Sequence, residues 1–135
     1  MAGDATNIYH GPLASVSIDD AGGSAPNDMG YLGNNNASIS FEPQGYELGD
    51  GQNAQLFGMG KVEIEIAETD STHLGYIDTT AEQKLILTAL DATTYTIDNV
   101  LVTYEVKRGF GNDPHVLIIR AQKKAIDEDD FVTIA

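Results

Sequence analysis

A chain of 135 residues without cysteine is one ordinary domain, long enough to bury a core unaided by disulfides, and it fits a reducing compartment or stabilisation by packing and assembly. Its 21 acidic and 7 basic side chains give a formal charge of −14, the wrong sign for gripping the phosphates of duplex DNA or RNA. The 41% apolar content argues against disorder. No apolar run reaches the ~20 residues of a membrane span, and Met1-Ala2-Gly3-Asp4 lacks the order of a signal peptide, so synthesis in the cytoplasm is expected.

In chain order, residues 1–13 read as a flexible arm ending near Gly11 and Pro12. Ser15 to Ile18 alternates polar and apolar, the period of a half-buried strand. Residues 19–36, with Gly22, Gly23, Pro26, Gly30, Gly33 and three consecutive asparagines, predict a long loop, a feature that is often functional in a small domain. Ala37 to Phe41 alternates again, and Pro43-Gln44-Gly45 predicts a break or bulge. Residues 43–60 are rich in glycine yet contain Tyr46, Leu48, Leu56, Phe57 and Met59. They read either as a loop folded over its own core or as one that packs on a neighbouring subunit.

The clearest strand is Lys61 to Ile66: Val62, Ile64 and Ile66 point one way, Lys61, Glu63 and Glu65 the other. Thr69 or Asp70 is placed to cap a short helix reaching about Tyr76. Thr80 and Gln83 fit a capping box for a helix through Leu90, but Lys84 to Leu90 also suits a buried strand, and the strand is the preferred reading. Val100, Val102, Tyr104 and Val106 alternate with Leu101, Thr103, Glu105 and Lys107. After the turn 109–114, His115 to Ala121 returns as the second strand of a hairpin. Residues 125–135 form an acidic tail, Asp127 to Asp130, ending in Phe131 to Ile134 as a terminal strand or docking segment. The whole predicts an all-β domain, a sandwich or barrel, with one short helix and no repeat or linker.

Catalysis finds little support. His10, His73 and His115 are scattered without metal-site spacing, and no nucleophile elbow, phosphate loop or dinucleotide fingerprint is present. Asp127 to Asp130 are contiguous acids without the alternate spacing and glycine of a calcium loop, and Asp19, Asp20 and Asp28 are equally incomplete. No catalytic residue, metal or cofactor is assigned.

From Tyr31-Leu32-Gly33 through Ala37-Ser38-Ile39-Ser40-Phe41-Glu42-Pro43, a Gly- and Gln-containing loop to Met59-Gly60, the strand Lys61 to Ile66 and then Ala67-Glu68-Thr69-Asp70, the order resembles the tail tube proteins of tailed bacteriophages. The likeness spans roughly residues 14–124 and is one of pattern; the long 19–36 loop and the acidic tail depart from many members. It implies a β-sandwich or barrel flanked by a helix, six copies to a ring and rings stacked into a hollow tube. By that resemblance Ser38, Ser40, Glu63 and Glu65 face an acidic lumen that passes DNA without specific binding. Tyr46, Leu48, Leu56, Phe57 and Met59 then belong to the self-assembly loop. The implied partners are other copies of the chain and the tail terminator, tape measure and baseplate or tip proteins, in a virion tail assembled in the host cytoplasm. Two further readings remain: another virion neck, ring or decoration protein, and a monomeric carbohydrate- or calcium-binding β-sandwich module.

Overall fold

The computed structural model describes residues 13–29, 32–47, 49, 51, 53–67, 71–112 and 115–135; the N-terminal arm expected over 1–13 lies outside them except for Leu13. Among the described residues the elements are β1 (Leu13–Asp20), β2 (Asn27–Asp28), β3 (Leu32–Glu47), β4 (Asn53–Ile66), α1 (Ser71–Gly75), β5 (Glu82–Ala89), β6 (Thr94–Lys107), β7 (Val116–Ala125), α2 (Glu128–Phe131) and β8 (Thr133–Ile134). The fold is all-β, with two short helices where the sequence pattern predicts one.

The strands follow the order β2-β1-β5-β6-β7-β4-β3, every pairing antiparallel, with β8 added to β6. β6 belongs to two sheets. Its first half, up to Leu101, pairs with β5, and its second half, from Val102, pairs with β7. Between them Asp98 and Asn99 form a bulge against Lys84 of β5, which sits between the rungs Gln83↔Val100 and Leu85↔Ile97. Asn99 adopts a φ of 55°, a left-handed conformation that asparagine tolerates, and a bulge of this kind bends a strand. Asp98 holds the corner: its Oδ1 accepts from the Asn99 and Gly22 N–H groups, and its carbonyl accepts from Lys123 Nζ.

Bending at β6 folds the ribbon on itself, so that β1 and β3, at opposite ends of the strand order, come into contact. The alternating residues of both halves then share one core: Val16, Ile18, Leu85, Leu87 and Ile97 from one side, Val62, Ile64, Ile66, Leu117 and Ile119 from the other. Burial of each such side chain contributes about 1.5–3 kcal/mol. Tyr104 is the exception to its alternation. It is 43% exposed because β5 has left β6 after Leu101 and no strand among the described residues pairs with β6 on that edge.

Three segments differ from the sequence pattern. The predicted 19–36 loop is largely structured: β1 continues to Asp20, β2 pairs with it, and β3 has begun by Leu32. A buried Asp19 carboxylate makes the turn between them, accepting from the Asp20 and Ala25 N–H groups at 2.8 and 2.9 Å. Lys84 Nζ donates to the Gly23 carbonyl beside it.

The predicted loop over 43–60 is instead the end of β3 and the start of β4, paired from Pro43↔Gly58 to Glu47↔Asn53 with a register shift between Gln44 and Gly45. Pro43-Gln44-Gly45 thus bulges the strand without ending it.

The acidic tail is a docked clasp. Asp130 N–H donates to Asp127 Oδ1 at 2.9 Å and Ile126 N–H to Asp130 Oδ2 at 3.0 Å. This turn sends Phe131, 1% exposed, into the core. β8 pairs with Tyr95 and Thr96, and Thr94 and Ala135 exchange both backbone hydrogen bonds. Gly60 makes the socket, since a Cβ there would lie 2.3 Å from the Phe131 ring; Gly58 likewise leaves room for Phe41.

Strand wins over helix at 82–89, as the preferred reading has it. Gln83 makes no capping box; it is buried, its Nε2 donating to the Tyr76 carbonyl and its Oε1 accepting from the Asp78 N–H, both at 2.9 Å.

Candidate assembly surface

The exposed face of the four-stranded half, β6-β7-β4-β3, is ordered in rungs that follow from the pairing registers. Glu105, Ile118 and Glu65 form one, and Thr103, Arg120, Glu63 and Ser38 the next. Gln122, Lys61 and Ser40 follow, then Lys124, Met59 and Glu42. Because side chains alternate across a strand, the same registers that bury Val62, Ile64, Ala121 and Val102 deliver these residues to the opposite face.

That face forms a groove of about 600 Å³ lined by Ser38, Ser40, Lys61, Glu63, Leu101 and Arg120, among others. Ser38, Ser40 and Glu63, named from the sequence, are therefore neighbours on one surface, with Glu65 on the adjoining rung and partly exposed.

The charge of the surface differs from the expectation. Among the described residues Glu42, Glu63, Glu65 and Glu105 stand with Lys61, Lys107, Arg120 and Lys124, four acids to four bases. An acidic face was expected from Ser38 and Ser40 of β3 with Glu63 and Glu65 of β4; Lys61 of β4 itself, Lys107 of β6, and Arg120 and Lys124 of β7 are the cations that stand beside them. Arg120 lies between two carboxylates, its Nε 3.1 Å from Glu63 Oε2 and its Nη1 3.1 Å from Glu105 Oε1. Hydrogen bonds to Glu63 and then Glu105 hold its pKa above the ordinary arginine value. Lys107 reaches Glu105 at 3.9 Å. The deficit of basic groups thus belongs to the rest of the chain, which holds the other 17 of 21 acids and only 3 of 7 bases.

Two edges of this sheet carry no partner strand among the described residues: the outer edge of β3, and the edge of β6 from Val102 to Lys107 that β5 has left. Unpaired strand edges are templates for intermolecular pairing. Beyond Gly58↔Ala125, the last rung of β4 with β7, the β3–β4 hairpin continues as a two-stranded arm. Of the residues expected to drive self-assembly, Phe57 lies at the base of this arm, half exposed, and Met59 is partly buried on the rung before it. Only the backbone of Tyr46 and Leu56 is described, and Leu48 lies outside the described residues. The edges and the Arg120 bridge escape sequence reading because both are defined by which strands become neighbours.

No protein-family model matches the sequence, and no curated protein does. Among solved structures, the chain overlays on one from the anti-feeding prophage baseplate with a TM-score of 0.47 and 12% identity, covering 96% of each chain. It overlays on a chain of the anti-feeding prophage cap, which terminates the tube, with a TM-score of 0.43 and 14% identity over 98% of this chain and 95% of that one. A chain from the extended sheath-tube complex of an extracellular contractile injection system gives 0.43 and 14% over 94% and 92%.

Proposed function

We propose that this protein is a structural subunit that assembles with its own copies into rings stacked as a hollow, tail-tube-like conduit. The observation that carries the reading is a pair of edges on one four-stranded sheet that have no partner strand among the described residues. β3 runs antiparallel to β4, β4 to β7 and β7 to β6, so β3 is also antiparallel to β6. The β3 edge of one copy therefore meets the β6 edge of the next in the favourable antiparallel sense. Such a contact is heterologous and closes into a ring when its rotation allows. The hexameric ring implied by the sequence resemblance is one such closure, and the hydrophilic grooved face then lines the lumen with Ser38, Ser40, Glu63 and Glu65. The β3–β4 arm is the candidate stacking element, since an isolated two-stranded hairpin is marginally stable in water and gains from docking.

A conduit for DNA works best when its wall does not retain phosphate. Arginine is a strong bidentate phosphate ligand, and here Glu63 and Glu105 occupy Arg120. Assembled tubes of the Glu63→Gln/Glu105→Gln variant are expected to retain duplex DNA at low salt where the unmodified protein does not.

The ring itself is tested by cross-linking, which the absence of native cysteine makes clean. Within one copy β3 and β6 are three strand spacings apart, about 14 Å, too far for a disulfide. Ser40→Cys combined with Thr103→Cys is expected to give, on oxidation, a ladder of covalent oligomers ending in a closed species, with rings or tubes visible by electron microscopy. A chain that stays monomeric at high concentration and forms no ladder overturns the reading.

A further inference from the structure

We propose that the clasp, residues 126–135, sets the pose of the β3–β4 arm through a phenyl ring seated on a glycine at the arm's base. The coupling is a property of the single chain. Its consequence, that the clasp decides how the arm is presented for stacking, rests on the ring reading above.

The core-facing positions of β4 are Gly58, Gly60, Val62, Ile64 and Ile66, all buried, since alternate residues share one face of a strand. Towards Ile66 the strand fills its share of the core with branched side chains. Towards the arm it contributes none, and β7 opposes Gly58 with Ala125 and Val62 with Ala121, both buried. Glycine inside a strand marks a bend or the close approach of another group. Here the close approach is aromatic: the Phe41 ring takes the space a Cβ would need at Gly58, and the Phe131 ring does so at Gly60.

The two rings differ in what holds them. Phe41 belongs to β3 and is therefore part of the hairpin itself. Phe131 belongs to the clasp, which is tied to the body by β8 on Tyr95 and Thr96, by the Thr94–Ala135 hydrogen bonds and by contacts of α2 with β7. Gly58↔Ala125 is the last rung between β4 and β7, so the arm pivots where these rings sit. A two-stranded ribbon twists more freely than a wide sheet, and its direction is fixed by what packs at its base. Close-packed interiors transmit displacement, so a shift of the clasp reaches the arm through Phe131 and Gly60.

The absence of native cysteine makes the test clean. Spin labels are placed at Asn53→Cys, on the last rung of the arm, and at Thr103→Cys, on the rung of Glu63. The run of β4 from Asn53 to Glu63 separates them by about 33 Å at strand rise, within reach of pulsed electron paramagnetic resonance. The full chain is measured at concentrations where it is monomeric, and a narrow distance distribution is expected. Phe131→Leu, which keeps an apolar side chain but removes the ring, is expected to broaden the distribution and shift its mean. Gly60→Ala, which displaces the ring from the other side, is expected to do the same. Gln83→Leu removes the hydrogen bonds to Tyr76 and Asp78, away from the arm's base, and is expected to leave the distribution unchanged. Slow hydrogen exchange at Val62, Ile64 and Ile119 reports that the body stays folded in each variant.

A distribution that is equally narrow and unshifted in Phe131→Leu and Gly60→Ala overturns the proposal. So does a broad distribution in the labelled chain without further substitution, or equal broadening in Gln83→Leu, which would mark a general loosening. Failure of the unmodified protein to form rings leaves these distances untouched and overturns the ring reading alone.

Discussion

The two halves of the molecule treat their strand edges differently. In the β1–β5 half, β2 covers part of β1, β5 fills one side of the first half of β6, and β8 with the Thr94–Ala135 hydrogen bonds fills part of the other. In the β3–β4 half, the long edge of β3 and the second half of β6 stay bare among the described residues, and the β3–β4 arm extends beyond its neighbours. Among the described residues the edges of one half are largely covered by strands of the same chain, and two long edges of the other are not. A single core joins them, so each half holds the other in shape.

The clasp is where that comparison breaks most readily. Phe131→Ala is expected to lower unfolding free energy by about 3–5 kcal/mol, as for other buried aromatic truncations, measured by urea denaturation. Gly60→Ala tests the same contact from the other side. Its new methyl would overlap the Phe131 ring, and a loss of about 1–3 kcal/mol is expected from overpacking. If Gly60→Ala is neutral, the socket is not close-packed and the clasp does not bind the two halves.

Gln83→Leu probes the β1–β5 half alone. It strands the Tyr76 carbonyl and the Asp78 N–H, and about 1–3 kcal/mol is expected to be lost, with the change in chemical shifts confined to residues 73–85.

The smallest effects belong to exposed charges. Arg120→Gln is expected to leave the denaturation midpoint unchanged, because its ion pairs are solvent-exposed, while altering assembly. A large fall in stability would show that the open face is structural.

Asp78 is held below the ordinary carboxylate range by hydrogen bonds from the Thr80 hydroxyl and then the Thr80 N–H, and Asp91 by the Thr93 hydroxyl and then its N–H. Both pKa values are depressed in the folded state. The stability they lend is therefore present above the ordinary aspartate pKa and fades as pH falls through the depressed values. NMR titration of Thr80→Val is expected to move the Asp78 midpoint upward and leave that of Asp91 in place.

Much of this was readable in one dimension. Val62, Ile64 and Ile66 are buried and Lys61 and Glu63 exposed because a strand alternates faces whatever its partners, and Val16, Ile18, Val100 and Val102 follow the same rule. The β6–β7 hairpin was legible from its two apolar runs and the turn between them. The arm was not, because a two-stranded ribbon has no buried face to impose alternation, and its glycines imitate a loop. Asp127 to Asp130 imitate a solvated tail in the same way, while the hydrogen bonds among them turn Phe131 inward.

By itself the sequence determined the all-β class, the core face of each central strand and the lack of a disulfide, since these depend on local periodicity and composition. Tertiary structure alone decided that Arg120 stands between Glu63 and Glu105, that Gly60 is the seat of Phe131, and that β3 and half of β6 have no partner strand along one edge among the described residues. Each of these is a relation between residues distant in the chain, created only when the bulge at Asp98 and Asn99 bends β6 from one sheet into the other.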